Sequence, residues 1–288
     1  MLIQVLSTLS VVIAFIFIYR KYRTDHEDFL LLKLISYYLL CSFRFNFNDL
    51  ALPAGFIIYL AFLKPQINKP VKKAIAHLGL FVFIWGVLTP IIQNSYFERQ
   101  RVVNASSNNI YTIDLNEDHN TIKQKLGISE YTKIENFAAS FEDSGEIKEL
   151  KYSFLTNDNK GIVLYKINFS SNKNKYIIKP MKVSEWMHYD DGLINEDQFF
   201  YALSYLDLEK AKPQEEYPYY TVKYDGGCAN WGVKDFENFL ITDNGFNKLN
   251  NDELPVNGYV FWIFGNKRTG ESSYYSNSNR AYILPIHK

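Results

Sequence analysis

Apolar residues are spread unevenly along this chain. Four long apolar stretches fill its first third, and the remaining two thirds alternate short apolar and polar segments rich in tyrosine. A stretch of about 20 apolar residues must find a nonpolar surrounding along its whole length, so these runs constrain the fold more than any other feature. Residues 2–19 carry no charge and are followed at once by Arg20, Lys21 and Arg23. No basic residue precedes the run and no small-x-small site follows it, which argues for a retained helix over a cleaved leader. The second run, 29–47, holds Lys33 and Arg44 near its ends, where their stems can snorkel. The third, 50–63, is short and opens with Pro53 and Gly55; the fourth, 74–92, contains Trp85 and ends near Pro90.

These runs predict an α-helical membrane region of about four spanning or re-entrant helices over residues 1–93. Seven basic residues lie in 20–28 and 64–73, against Arg44, Arg99 and Arg101 on the other side. The bias toward cytoplasmic positive charge then places both termini, and everything after residue 93, outside the cytoplasm. The expected location is a multi-pass cell-membrane protein with an extracytoplasmic C-terminal domain. No Asp or Glu lies deep in an apolar run, so an ion or proton pathway lacks its usual carboxylates. Gly79 and Gly86, seven residues apart, mark a face for close helix packing.

Residues 1–93 carry nine Lys/Arg and four Asp/Glu, leaving 22 against 27 for the rest. An acidic domain does not attract phosphate backbones, so nucleic acid is not an expected partner. Two cysteines, Cys41 in an apolar run and Cys228 far from it, exclude a disulfide framework. The abundance of Asn, Lys, Ile, Tyr and Phe resembles the proteome of an AT-rich bacterium.

Residues 94–110 read as a polar linker and 111–288 as a soluble α+β domain with an antiparallel sheet. A helix near 117, capped by Asn116 and stopped by Gly127, precedes strands at 132–141, 146–156, 161–170 and 175–181. A second helix, capped by Asn195 with Ile194 and Phe199 as a staple, precedes strands at 217–225, 258–265 and 280–286. A short helix is expected near 233–241. This repeated order divides the domain into halves, 111–194 and 195–288. It is similar in element order to small extracytoplasmic PepSY-type modules, in which a helix packs on an antiparallel sheet. One continuous sheet is the alternative.

Candidate sites are few. Cys228 stands in the glycine turn Asp225-Gly-Gly-Cys-Ala-Asn-Trp231. Thiol catalysis needs a histidine to take the proton, and the candidates are His188 and His287. Glu185, His188, Asp190 and Asp191 gather carboxylates and an imidazole within seven residues, a weak metal set whose spacing matches no calcium loop. His119, in the first turn of its helix, is expected to face solvent. Tyr219, Tyr220, Tyr274 and Tyr275 form the candidate binding face; adjacent residues of one strand cannot both point inward, so one must present its ring outward. The polar stretch 266–279 is a candidate contact loop.

Together these features predict a membrane-tethered extracytoplasmic binding or regulatory module of a bacterial envelope, without catalysis and without a cofactor. The expected partners are the lipid bilayer and another envelope protein or a cell-wall component. A thiol-dependent hydrolase using Cys228 and a small assembly subunit are the alternatives.

Overall fold

The structure, a computed structural model, describes every residue except 1, 48, 49, 159, 160, 185–191, 214, 269–273, 278, 279, 287 and 288. The side chains of 2–6, 50, 158, 268 and 274–277 also lie outside the description. The chain forms two compact units, Met1–Tyr96 and Phe97–Lys288.

The first unit contains α1 (Leu2–Tyr22), α2 (Leu30–Ser42), the hairpin of β1 (Phe45–Phe47) and β2 (Leu50–Leu52), α3 (Ala54–Phe62) and α4 (Lys69–Phe97). This overturns the four-helix membrane region. At about 1.5 Å per residue, α2 and α3 reach only about 20 and 14 Å, short of the ~30 Å hydrocarbon core. The run 29–47 stops early because Arg44 turns its guanidinium onto Asn46 (2.7 Å) and the chain becomes an extended hairpin. Pro53 then caps α3. Among the described residues one helix, α4, is long and apolar enough to cross a membrane, with a mean hydropathy of 2.1. The helix α1, whose first five side chains lie outside the description, does not enter that count. The multi-pass location is not supported, since among the described residues only α4 is long and apolar enough to span.

The core of this unit is small and falls in two clusters, Leu30, Leu34, Val71 and Ile75, and Cys41, Tyr59 and Ala76. Gly79 is tight against α2, where a Cβ would sit 2.7 Å from the Tyr38 carbonyl, whereas Gly86 faces open space. A polar clamp closes the other end. Lys72 donates to both Glu27 oxygens (2.7 Å each), Lys33 to one (2.8 Å), and buried Asn68 bonds the backbone of Thr24 and Asp25.

The second unit is built on a single mixed sheet. Its strands are β3 (Arg101–Asn104), β4 (Lys133–Phe141), β5 (Ile147–Asp158), β6 (Gly161–Ser170), β7 (Lys175–Val183) and β8 (Ile194–Asn195). They continue as β9 (Tyr219–Tyr224), β10 (Ala229–Trp231), β11 (Glu237–Thr242), β12 (Gly245–Lys248), β13 (Val256–Arg268), β14 (Tyr274–Asn277) and β15 (Arg280–Pro285). Among the described residues the spatial order is β12-β11-β15-β13-β9-β4-β5-β6-β7-β3, with β10 and β14 on β13 and β8 on β4. The predicted halves are therefore one continuous sheet, joined where β4 pairs β9. The sheet is not purely antiparallel as expected. The strand β15 inserts between β13 and β11 and runs parallel to β11, satisfying two open edges at once. The helix expected at 233–241 is replaced by β11; its apolar spacing allows either period, and pairing on both sides selects the strand.

Three helices accompany the sheet: α5 (Leu115–Leu126), α6 (Glu196–Tyr205) and α7 (Leu208–Ala211). The cap of α5 is Asp114, which accepts from the Glu117 amide, so the helix starts before the expected Asn116 cap; Gly127 (φ 70°) ends it. Ile122 of α5 and Phe199 and Ala202 of α6 join Phe137, Phe154, Tyr224 and Phe261 in one core on the inner face of the sheet. Both ends of the strand order are short, and β3 stops at the register of Ile178, so that among the described residues Lys179–Val183 of β7 has no strand paired on that side. Pro180, which has no amide hydrogen to offer, falls in that open stretch.

Candidate functional site

Strand alternation decides what the outer face of the sheet presents. On β9, Tyr220, Val222 and Tyr224 are buried in the core, so Tyr219, Thr221 and Lys223 project from the other side. The tyrosine pair therefore splits as its spacing requires: Tyr220 is inside, with its hydroxyl on the Glu215 carbonyl and the Tyr217 amide, and Tyr219 is outside. Tyr274 and Tyr275 pair with Arg268 and Lys267 through β14, but their side chains lie outside the described residues.

Register assembles two rows across the outer face. Lys151, Ala138, Lys223 and Trp262 stand opposite one another on β5, β4, β9 and β13, and Glu149, Ser140, Thr221 and Phe264 form the next row. Ser140 and Thr221 share a hydrogen bond (2.8 Å), and the Asn266 amide donates to the Thr221 hydroxyl (3.0 Å). The result is a shallow strip with small, hydroxyl-bearing residues along its centre. An aromatic wall bounds one side: Trp262 stacks near-parallel with Phe264 (6.4 Å) and meets Trp231 and Phe236 edge-on (5.0 and 5.5 Å). Lys151 and Lys223, each paired with an acidic neighbour, mark the other flank and the centre. Trp231 belongs to the motif around Cys228, but neither Trp262 nor Thr221 stood out in the sequence; only pairing of residues far apart in the chain aligns them.

The glycine turn before Cys228 is as tight as its sequence suggests. Gly226 (φ 79°) and Gly227 (φ 83°) are left-handed, and a Cβ on Gly226 would sit 2.1 Å from the Glu135 carbonyl. Cys228 itself is half-buried. Its amide donates to the Gly192 carbonyl (2.8 Å) and its thiol to Asn257 Oδ1 (3.2 Å). Burial pushes the thiol above its ordinary range, the opposite of what a nucleophile needs. His188, His287 and the metal candidates Glu185, Asp190 and Asp191 lie outside the described residues. Among the described residues no group of three or more His, Cys, Asp or Glu is placed to hold a metal ion.

His119 corrects its expected exposure: it is 1% accessible. Its Nε2 lies 3.0 Å from both Glu196 Oε2 and Thr132 Oγ1, its Nδ1 lies 3.3 Å from the Tyr152 hydroxyl, and Phe154 and Phe200 pack against the ring. Lys123 and Thr132 also bond Glu196. Burial holds the imidazole below its ordinary pKa. Neutral His119 thus accepts from Tyr152 and donates to Glu196. Burial raises the Glu196 carboxyl, but hydrogen bonds from His119, Lys123 and Thr132 outweigh it and hold the pKa at about 2. A hydroxyl, an imidazole and a carboxylate in contact are the parts of a catalytic relay. Here they are buried between α5, α6 and the sheet, where they fasten the two helices to each other.

No family model, curated protein or solved structure matches this chain. The reading of the site therefore stands on geometry alone.

Proposed function

We propose that this chain is a non-catalytic binding protein that recognises a hydroxyl-rich, glycan-type chain on the outer face of its sheet, while its helical unit contacts a lipid bilayer. The observation that carries the reading is the strip Ala138–Ser140–Thr221 beside Trp262 and Phe264. Hydroxyl and amide groups in register can bond sugar hydroxyls, and half-buried aromatic rings can take the apolar face of a pyranose. A peptide strand would instead use an open sheet edge, and this sheet ends in four-residue strands at both sides, with Pro180 in the stretch of β7 that β3 does not pair. Contact with lipid is supported by large exposed apolar side chains along α1, α2 and α4, among them Phe17, Leu32, Phe81 and Trp85. The thiol-enzyme alternative is disfavoured by the burial of Cys228, which raises its thiol pKa.

Calorimetric titration of the full chain in detergent with linear oligosaccharides of neutral and N-acetylated sugars tests the reading. Saturable binding that falls at least about tenfold in Thr221→Val and Phe264→Ala supports it. Binding of extended peptides but no sugar, or sugar binding that both variants leave unchanged, overturns it.

A further inference from the structure

A cleft opens on the inner face of the sheet, between the segment leading into α5 and the end of α6. The cleft has a volume of about 400 Å³ and is walled by the segment 110–116 on one side and by Phe200, Leu203 and Leu208 on the other. Phe137 and Val222, both buried core residues, form its floor. This size lies in the range of small-molecule pockets, whose walls are mostly apolar with a few polar groups to fix orientation.

The polar groups present define the ligand. Tyr111 is held at the rim by its amide bond to Asn109 Oδ1 (2.9 Å) and by edge contact with Phe141, which leaves its phenol without a hydrogen-bond partner among the described residues; Lys212, the cation that acts on it, is already paired with Asp143. The Asn116 carboxamide likewise has no hydrogen-bond partner among the described residues. Ser204 and Asp114 are already engaged, the first with the Tyr201 carbonyl and the second as the cap of α5. No cationic side chain lines the cleft, and Asp114, Glu117 and Asp118 crowd the adjoining helix start. An anion would enter unpaired against that field. A cation would find only a carboxylate whose Oδ1 is already taken by the helix.

We infer that this cleft binds a small, uncharged amphipathic molecule, its ring or short aliphatic body on Phe137, Phe200 and Leu203 and one hydroxyl or amide toward Tyr111 and Asn116. This site is independent of the outer strip, which lies on the opposite face of the sheet.

The test uses the full chain labelled with 3-fluorotyrosine, the Tyr111 resonance being assigned with Tyr111→Phe. Titration with benzyl alcohol, benzoate and benzylamine holds the ring constant and varies charge. The expected result is a saturable shift of the Tyr111 resonance with benzyl alcohol and binding at least about tenfold weaker for both ions. Leu203→Trp, which fills the cleft, should abolish the shift. Ser204→Trp, at an exposed position on the rim, should block it without touching the core. No saturable shift with benzyl alcohol, tighter binding of either ion, or a shift that survives Ser204→Trp overturns the assignment.

Discussion

His119 shares a helical stripe with Leu115, Ile122 and Leu126, and that stripe is what buries it. The i, i+4, i+7 spacing was present in the sequence; reading His119 from its place in the first turn of the helix hid it. Its burial has a signed consequence. A histidine kept neutral in the fold gains a proton on unfolding below its ordinary pKa near 6.5, so stability falls as pH drops below that value. Glu196 acts lower, its contribution being complete above the ordinary 4.5 and lost as pH falls toward 2. Urea unfolding across pH should show both phases. His119→Gln should remove the upper one while costing about 1–3 kcal/mol at pH 7.5, and Glu196→Gln should remove the lower. Cys228 yields a second expectation: its thiol should react with iodoacetamide at pH 7.5 more slowly than a free cysteine does, because less of it is thiolate.

Elements with a local signature were legible. The strands at 161–170 and 175–183 follow an alternation that needs no distant partner, and the helix at 196–205 starts after Asn195 as expected, although that side chain makes no cap hydrogen bond. What sequence could not show was which strands lie together. The parallel seam of β11 and β15, and the rows across β4, β9 and β13, are made by residues scores of positions apart. The helical unit failed for a different reason: hydropathy measured the apolar runs but not the breaks at Arg44 and Pro53 that shorten them. Two substitutions examine single elements. Gly226→Ala forces a Cβ against the Glu135 carbonyl at a left-handed φ and should cost at least ~2 kcal/mol. Gly227→Ala meets nothing closer than 3.8 Å and should cost about 1 kcal/mol. Asp114→Ala removes the α5 cap, an expected loss of about 1 kcal/mol in the same denaturation experiment.

At the scale of the molecule, one unit has a broad aromatic and aliphatic core and the other exposes most of its apolar side chains. If lipid covers the second, brominated phospholipid vesicles should quench part of the tryptophan emission, and Trp85→Phe should remove most of that quenchable fraction; an unchanged spectrum would exclude the contact. The position of β15 reaches further. Among the described residues the β11–β12 hairpin pairs with the remainder of the sheet only through that strand, which is synthesised after everything it bridges. During translation the hairpin must wait beside an unfilled slot, with Phe239 and Phe246 bare, until Arg280–Pro285 arrives. A nascent chain stalled or clipped before this point should be the species that chaperones hold and proteases remove.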